Sequence, residues 1–133
     1  MFIGSLKPEQ QHALSRIVRF IAEVDDDDDF REDVLCATLL EESSLQEVPL
    51  PAESLEDALS LVEVFDEASA AKALILESFG VALSDNYAHP KELEVINALA
   101  AKLGVEEEWV EHARDYVQRV LDLQIEAHRL LTE

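Results

Sequence analysis

The stretch VALSDNYAHPKE, residues 81–92, contains the pattern that decides the fold: an apolar helix end, an acidic turn and the start of another helix. Proline is tolerated in the first turn of a helix, where the N–H that it lacks would have no partner, so Pro90 marks a helix start. Glu92 falls at the third position of that helix, where the helix dipole favours a carboxylate. The stretch therefore predicts two helices joined by a short loop.

The same pattern occurs sixty residues earlier, in IAEVDDDDDFRE, residues 21–32. The two stretches align without a gap, and their apolar and acidic positions coincide. The aligned pairs are Ala22 with Ala82, Asp25 with Asp85, Glu32 with Glu92 and Leu39 with Leu99. This repeat predicts one domain, residues 1–133, built from two pseudo-symmetric helical halves at about residues 1–48 and 54–133.

Apolar residues recur at spacings of three and four along most of the chain, as one buried helix face requires. The predicted helices run from Pro8 to Val24, from Phe30 to about Glu42, from Ser54 to about Phe65, from a cap at Asp66 to Leu83, from Pro90 to Gly104, and through Trp109 to Leu130. No segment shows a strong strand pattern. We expect an all-α fold, a compact bundle of about six to seven helices.

Two of these helices carry specific packing predictions. In the second helix the residues expected to face inward are Val34, Leu35, Ala37, Thr38 and Leu39. In the last helix the apolar residues are Trp109, Val110, Ala113, Tyr116, Val117, Val120, Leu121 and Leu130, with Trp109 expected in the core.

The charge balance is strongly acidic, with 30 Asp and Glu against 10 Lys and Arg and a formal net charge of −20. Such a surface repels nucleic acid and anionic lipid and attracts cations and the basic surfaces of partner proteins. No apolar run approaches the roughly 18 residues that cross a bilayer. The single cysteine, Cys36, cannot form an internal disulfide, and no secretory signal is evident, so a cytoplasmic location is expected. The oligomeric state does not follow from the sequence.

The second half contains an alanine, two further residues, an Asp, a short turn and then Pro-x-Glu opening a helix, in residues 82–92. This pattern, together with LAAKLGV at residues 99–105 and the acidic residues after it, resembles the TerB-like tellurite-resistance family. The resemblance implies a compact helical domain, an adaptor-like role in tellurite or general stress response, and divalent cations at the acidic loops. The chain has Asn86 and Asp26 where the family usually has Gly, and its first half lacks the proline.

The two acidic loops are the candidate metal site. Calcium, magnesium and manganese prefer several oxygen ligands. The candidate ligands are Asp25, Asp26, Asp28 and Glu32 in the first half, and Asp85, Asn86 and Glu92 in the second. Helix capping also explains the two glutamates, and a solvated turn also explains the aspartate run. An EF-hand is excluded, because its sixth and twelfth positions would be Phe30 and Cys36, or Pro90 and Ile96.

No catalytic constellation is evident. The four histidines do not form a helical zinc pair, and three glycines in the whole chain leave no Gly-rich phosphate loop. We therefore expect a non-enzymatic interaction or adaptor module, with weak cation binding at the loops. One alternative is an acidic decoy that occupies the basic surfaces of a partner protein by charge alone. A metal-dependent hydrolase using clustered carboxylates is a further alternative.

Overall fold

The computed structural model describes residues 1–24, 29–84 and 89–133. Throughout these ranges the chain is helical or irregular, with no strand. The helices are α1 (Pro8–Glu23), α2 (Asp29–Glu42), α3 (Leu55–Leu61), α4 (Ala68–Ala82), α5 (Pro90–Leu103) and α6 (Glu107–Thr132), with 3₁₀ turns at Ile3–Ser5 and Val62–Val64. The predicted all-helical class is confirmed. No helix in the described ranges is both long and apolar enough to span a bilayer.

Two pairs of helices begin about sixty residues apart along the chain. α1 and α4 begin at Pro8 and Ala68, and α2 and α5 begin at Asp29 and Pro90. The aligned pairs Ala22 with Ala82 and Leu39 with Leu99 are all buried. A twofold relation of the halves in space, and the TerB-like assignment, stay predictions.

Local capping chemistry explains most helix boundaries. The Ser54 hydroxyl accepts a hydrogen bond from the Asp57 N–H at 3.1 Å, and His89 Nδ1 accepts one from the Lys91 N–H at 3.1 Å. Gly104 ends α5 with a left-handed φ of 73°, which glycine adopts without steric cost. The predicted cap at Asp66 is wrong. α4 begins at Ala68 with Glu67 as its N-cap, and no side chain caps its first turn.

The core forms where α1 and α4 pack together, with α5 and the first half of α6 closing around them. Fully buried apolar side chains at its centre are Leu14, Ile17 and Ile21 from α1, Leu74, Ile75 and Phe79 from α4, Ile96 and Leu99 from α5, and Val117 from α6. Burying each such side chain stabilises the fold by about 1.5–3 kcal/mol. This core fixes the positions of the ends of α1 and α4 and of the starts of α2 and α5.

The predicted inward face of α2 is largely wrong. Leu39 is buried, but Val34 is 50% exposed, Ala37 and Thr38 are exposed, and Leu35 is half-buried. The reason is that α2 packs at the edge of the bundle, against α1 and the N-terminal turn, so only one narrow line of its residues reaches the core. In α6, Val110, Ala113 and Val117 are buried as predicted.

Three of the apolar residues of α6, among them Trp109, which was expected in the core, are not fully buried. Trp109 is half-buried, and its ring lies under the Lys72 ammonium, 5.4 Å from the ring centroid. Tyr116 is 41% exposed and Leu130 is 70% exposed. Trp109 packs against the edge of the core, whereas packing within the described chain does not explain the apolar character of Tyr116 and Leu130.

Candidate functional site

Glu32, one of the predicted ligands, lies in the first turns of α2 and is held by an arginine of α1. Its Oε1 is 2.7 Å from Arg19 Nη2, and Arg19 also donates a hydrogen bond to the Pro49 carbonyl. Hydrogen bonds with the Glu23 side chain and with the Arg19 guanidinium lower the pKa of Glu32 below its ordinary value. Glu32 is therefore a stable carboxylate at neutral pH, joining α2 to α1.

Glu92, its counterpart in the repeat, is 1% exposed at the third position of α5. Its Oε1 accepts a hydrogen bond from Arg31 Nη1 at 2.9 Å. Arg31 also donates to the Val81 carbonyl in the last turn of α4, where the helix dipole favours a cation. One arginine of α2 thus holds the end of α4 and the start of α5, the two helices on either side of residues 85–88.

The Arg31–Glu92 ion pair brings the first turns of α2 and α5 into contact. In the sequence, these turns directly follow the two predicted acidic loops. Both carboxylates bind arginines. Among the predicted ligands, Asp25, Asp26, Asp28, Asp85 and Asn86 lie outside the described residues. The cation site therefore stays a prediction.

Within the described ranges, no group of three or more His, Cys, Asp or Glu side chains is arranged to hold a metal ion. Cys36 is half-buried, and its burial raises the pKa of the thiol above its ordinary value. Because the thiolate is the reactive form of cysteine, this environment makes Cys36 a poor nucleophile.

An open groove of about 590 Å³ lies between α2, α4 and α6. Its apolar lining comes from Val34, Leu35, Val81 and Leu121. Gly80 also borders the groove, and a Cβ at that position would meet no atom within 4 Å. The exposed face of α2, which sequence periodicity assigned to the core, is one wall of this groove.

The sequence reasoning missed both arginines of this region. Arg19 lies in the otherwise apolar run from Ile17 to Ile21, and that unusual setting for a cation was the available signal. Arg31 comes after the aspartate run and is separated from it only by Phe30. Its partner is 61 residues away, so no local pattern could reveal the pair.

Comparison with protein-family models, with curated proteins and with solved structures finds no match to this chain.

Proposed function

We propose that this chain is a non-enzymatic, acidic helical interaction module of the TerB-like kind, which binds protein partners through their basic surfaces. The observation that carries the proposal is that many of the few Lys and Arg side chains are bound to carboxylates of the same chain. At least five of the ten Lys and Arg side chains form ion pairs with carboxylates of the chain itself. These pairs are Lys7–Glu67, Arg16–Asp57, Arg19–Glu32, Arg31–Glu92 and Arg119–Asp115.

With 30 Asp and Glu against 10 Lys and Arg, the chain has three times as many carboxylates as basic side chains that could neutralise them. Glu106, Glu107, Glu108 and Glu111 are all exposed around the start of α6, and we call them the α6 acidic patch. Glu53, Glu56 and Glu63 are exposed beside α3, and we call them the α3 acidic patch. Like charges clustered on a surface create a field that attracts basic partners and speeds their association. The same field repels phosphate backbones.

In this proposal, weak binding of calcium, magnesium or manganese at the two acidic loops modulates the module. The support is that Glu32 and Glu92 lie just after the loops and that Arg31 joins the helices on either side of the second one. A cation bound there would act next to the contact between α2 and α5. The resemblance to TerB-like domains suggests tellurite or general stress response in the cytoplasm as the setting.

Carbodiimide cross-linking in cells tests the proposal directly, because this reagent joins carboxylates to lysine amines without a spacer. We expect cross-links that join one acidic patch to lysines of a small, reproducible set of proteins. Links spread evenly over both patches and over many unrelated basic proteins would show an acidic decoy instead. Absence of any cross-linked protein would contradict the proposal.

A further inference from the structure

The C-terminal half of α6 is packed much less closely than the first half, through partly buried side chains such as Leu121. α6 has 26 residues, which corresponds to a length of about 39 Å. Its buried residues are Val110, Ala113 and Val117, all in its first half. No residue after Val117 is buried. A half-helix that buries no side chain completely gains little stability from tertiary packing, which is where most helical stability in proteins comes from.

This exposed half nevertheless carries a regular apolar stripe. The residues of the stripe are Tyr116, Val120, Leu123, Ala127 and Leu130, and we call them the α6 seam. Their spacing of four, three, four and three is the heptad spacing of a coiled-coil contact. Tyr116, Leu123 and Leu130 are 41%, 63% and 70% exposed. The α6 seam is separate from the buried stripe of Val110, Ala113 and Val117. Val120 is half-buried, and the other four residues of the seam are exposed and available to a second helix.

The local charge indicates what kind of helix can pack there. Residues 114–133 carry three Arg against four Asp and Glu, a net charge of −1, while the other 113 residues carry −19. A second copy of the chain would be repelled by almost any other part of this surface. Around the α6 seam that repulsion is nearly absent. A strongly basic partner, by contrast, is attracted to the acidic patches rather than to this balanced segment.

The residues flanking the seam favour an antiparallel pair. Arg119 and Glu126 lie on the same flank of the α6 seam, seven residues apart. In an antiparallel pair equivalent flanks face each other, so Arg119 of each copy can face Glu126 of the other. In a parallel pair they would face Gln124 and Leu131, and neither is charged. Charge complementarity therefore selects the antiparallel arrangement.

The surface area of the chain is consistent with one missing interface. Its accessible surface is 7909 Å² for a mass of 14.9 kDa. A compact monomer of that mass exposes about 7,000 Å². The excess is roughly 900 Å², close to the roughly 800 Å² that each partner buries in a standard specific interface.

From these observations we propose that two copies of the chain form a twofold dimer through antiparallel packing of the α6 seam. A twofold interface uses the same patch on both copies, which the seam and its reciprocal Arg119–Glu126 contacts satisfy. The dimer does not depend on the proposed partner binding, because the acidic patches lie outside the seam.

Sedimentation equilibrium of the full chain over a concentration series tests the dimer. We expect a mass approaching twice the 14.9 kDa of one chain. Leu123→Glu places a charge in the seam and should weaken dimerisation by at least about tenfold. Leu50→Glu is the matched control, because Leu50 is 78% exposed in the loop before α3 and the charge change is the same. It should leave dimerisation unchanged.

A charge swap tests the orientation. Arg119→Glu and Glu126→Arg should each weaken the dimer, and the double variant should restore it, because each flank again meets an opposite charge. Circular dichroism of each variant shows whether its helices are retained. A wild-type chain that stays monomeric, or a dimer that Leu123→Glu leaves intact in a folded protein, would overturn the proposal. Failure of the double variant to restore the dimer would overturn the antiparallel arrangement.

Discussion

At the scale of single residues, Arg31 and Glu92 form the ion pair that joins α2 to the start of α5, and Arg31 also binds the end of α4. Glu92 is 1% exposed, and its carboxylate is 2.9 Å from the guanidinium of Arg31. Removing one member of a buried ion pair is costly because the other charge stays in a poorly solvated position. Glu32 and Arg19 form a more exposed version of the same contact, with 25% of the Glu32 side chain exposed.

Glu92→Gln should lower the free energy of unfolding by about 3 kcal/mol, as buried ion pairs do when one partner is removed. Glu94→Gln is the matched control, since Glu94 is exposed on the same helix and its change should be within about 0.5 kcal/mol. Urea denaturation measures both. A Glu92→Gln protein as stable as the control would show that the ion pair does not hold α5 to α2.

The lowered pKa of Glu32 predicts a pH dependence of stability. Because the folded pKa lies below the ordinary value of 4.5, the ionised carboxylate stabilises the fold above that pH. The stabilisation is lost as the pH falls through the folded pKa. The stability difference between wild type and Glu32→Gln should therefore be constant at neutral pH and shrink below pH 4.5. A difference that stays constant down to the acid transition would contradict this.

At the scale of helices, the capping residues predicted several helix boundaries correctly, whereas the apolar periodicity predicted part of the helix packing incorrectly. Pro8, Ser54, Pro90 and Gly104 lie at the helix ends where the sequence placed them, because capping depends on neighbouring residues alone. The partial exposure of α2 was not predictable from periodicity. Apolar spacing identifies a face, but it does not say whether that face meets the core, a groove or another chain.

Two glycines, one inside a helix and one at a helix end, give opposite predictions at this scale. Gly80 lies inside α4, where an added Cβ meets no atom within 4 Å, so Gly80→Ala should stabilise the protein by about 0.5–1 kcal/mol. Gly104 has a φ of 73°, which alanine adopts poorly, so Gly104→Ala should destabilise it by about 1 kcal/mol. Thermal melts of the two variants measure the difference. Two shifts of the same sign would contradict the assignment of these positions.

At the scale of the whole molecule, the net charge of −20 makes the chain repel itself. The sequence alone predicted this property and the all-helical class. It could not reveal the Arg31–Glu92 pair or the groove, because each is assembled from helices far apart along the chain. The five predicted ligands in residues 25–28 and 85–88 lie outside the described ranges, so their prediction is tested by experiment.

Thermal melts with chelator and then with calcium, magnesium or manganese test the cation site. We expect at least one of these ions to raise the melting temperature by more than a monovalent salt of equal ionic strength does. Asp25→Asn or Asp85→Asn should remove that additional shift, because each deletes a carboxylate ligand. If every metal acts only as its ionic strength predicts, the loops are solvated turns and not a cation site.

The most direct test of the proposed module compares two variants of equal charge. Replacing Glu106, Glu107 and Glu108 by Gln, or replacing Glu53, Glu56 and Glu63 by Gln, removes three negative charges from −20 in either case. The dissociation constant of each variant for a partner identified by cross-linking is measured by calorimetry at matched ionic strength. An interaction module predicts that one variant binds at least about tenfold more weakly while the other changes by less than about twofold. Equal weakening of both would contradict it, because binding would then follow total charge alone.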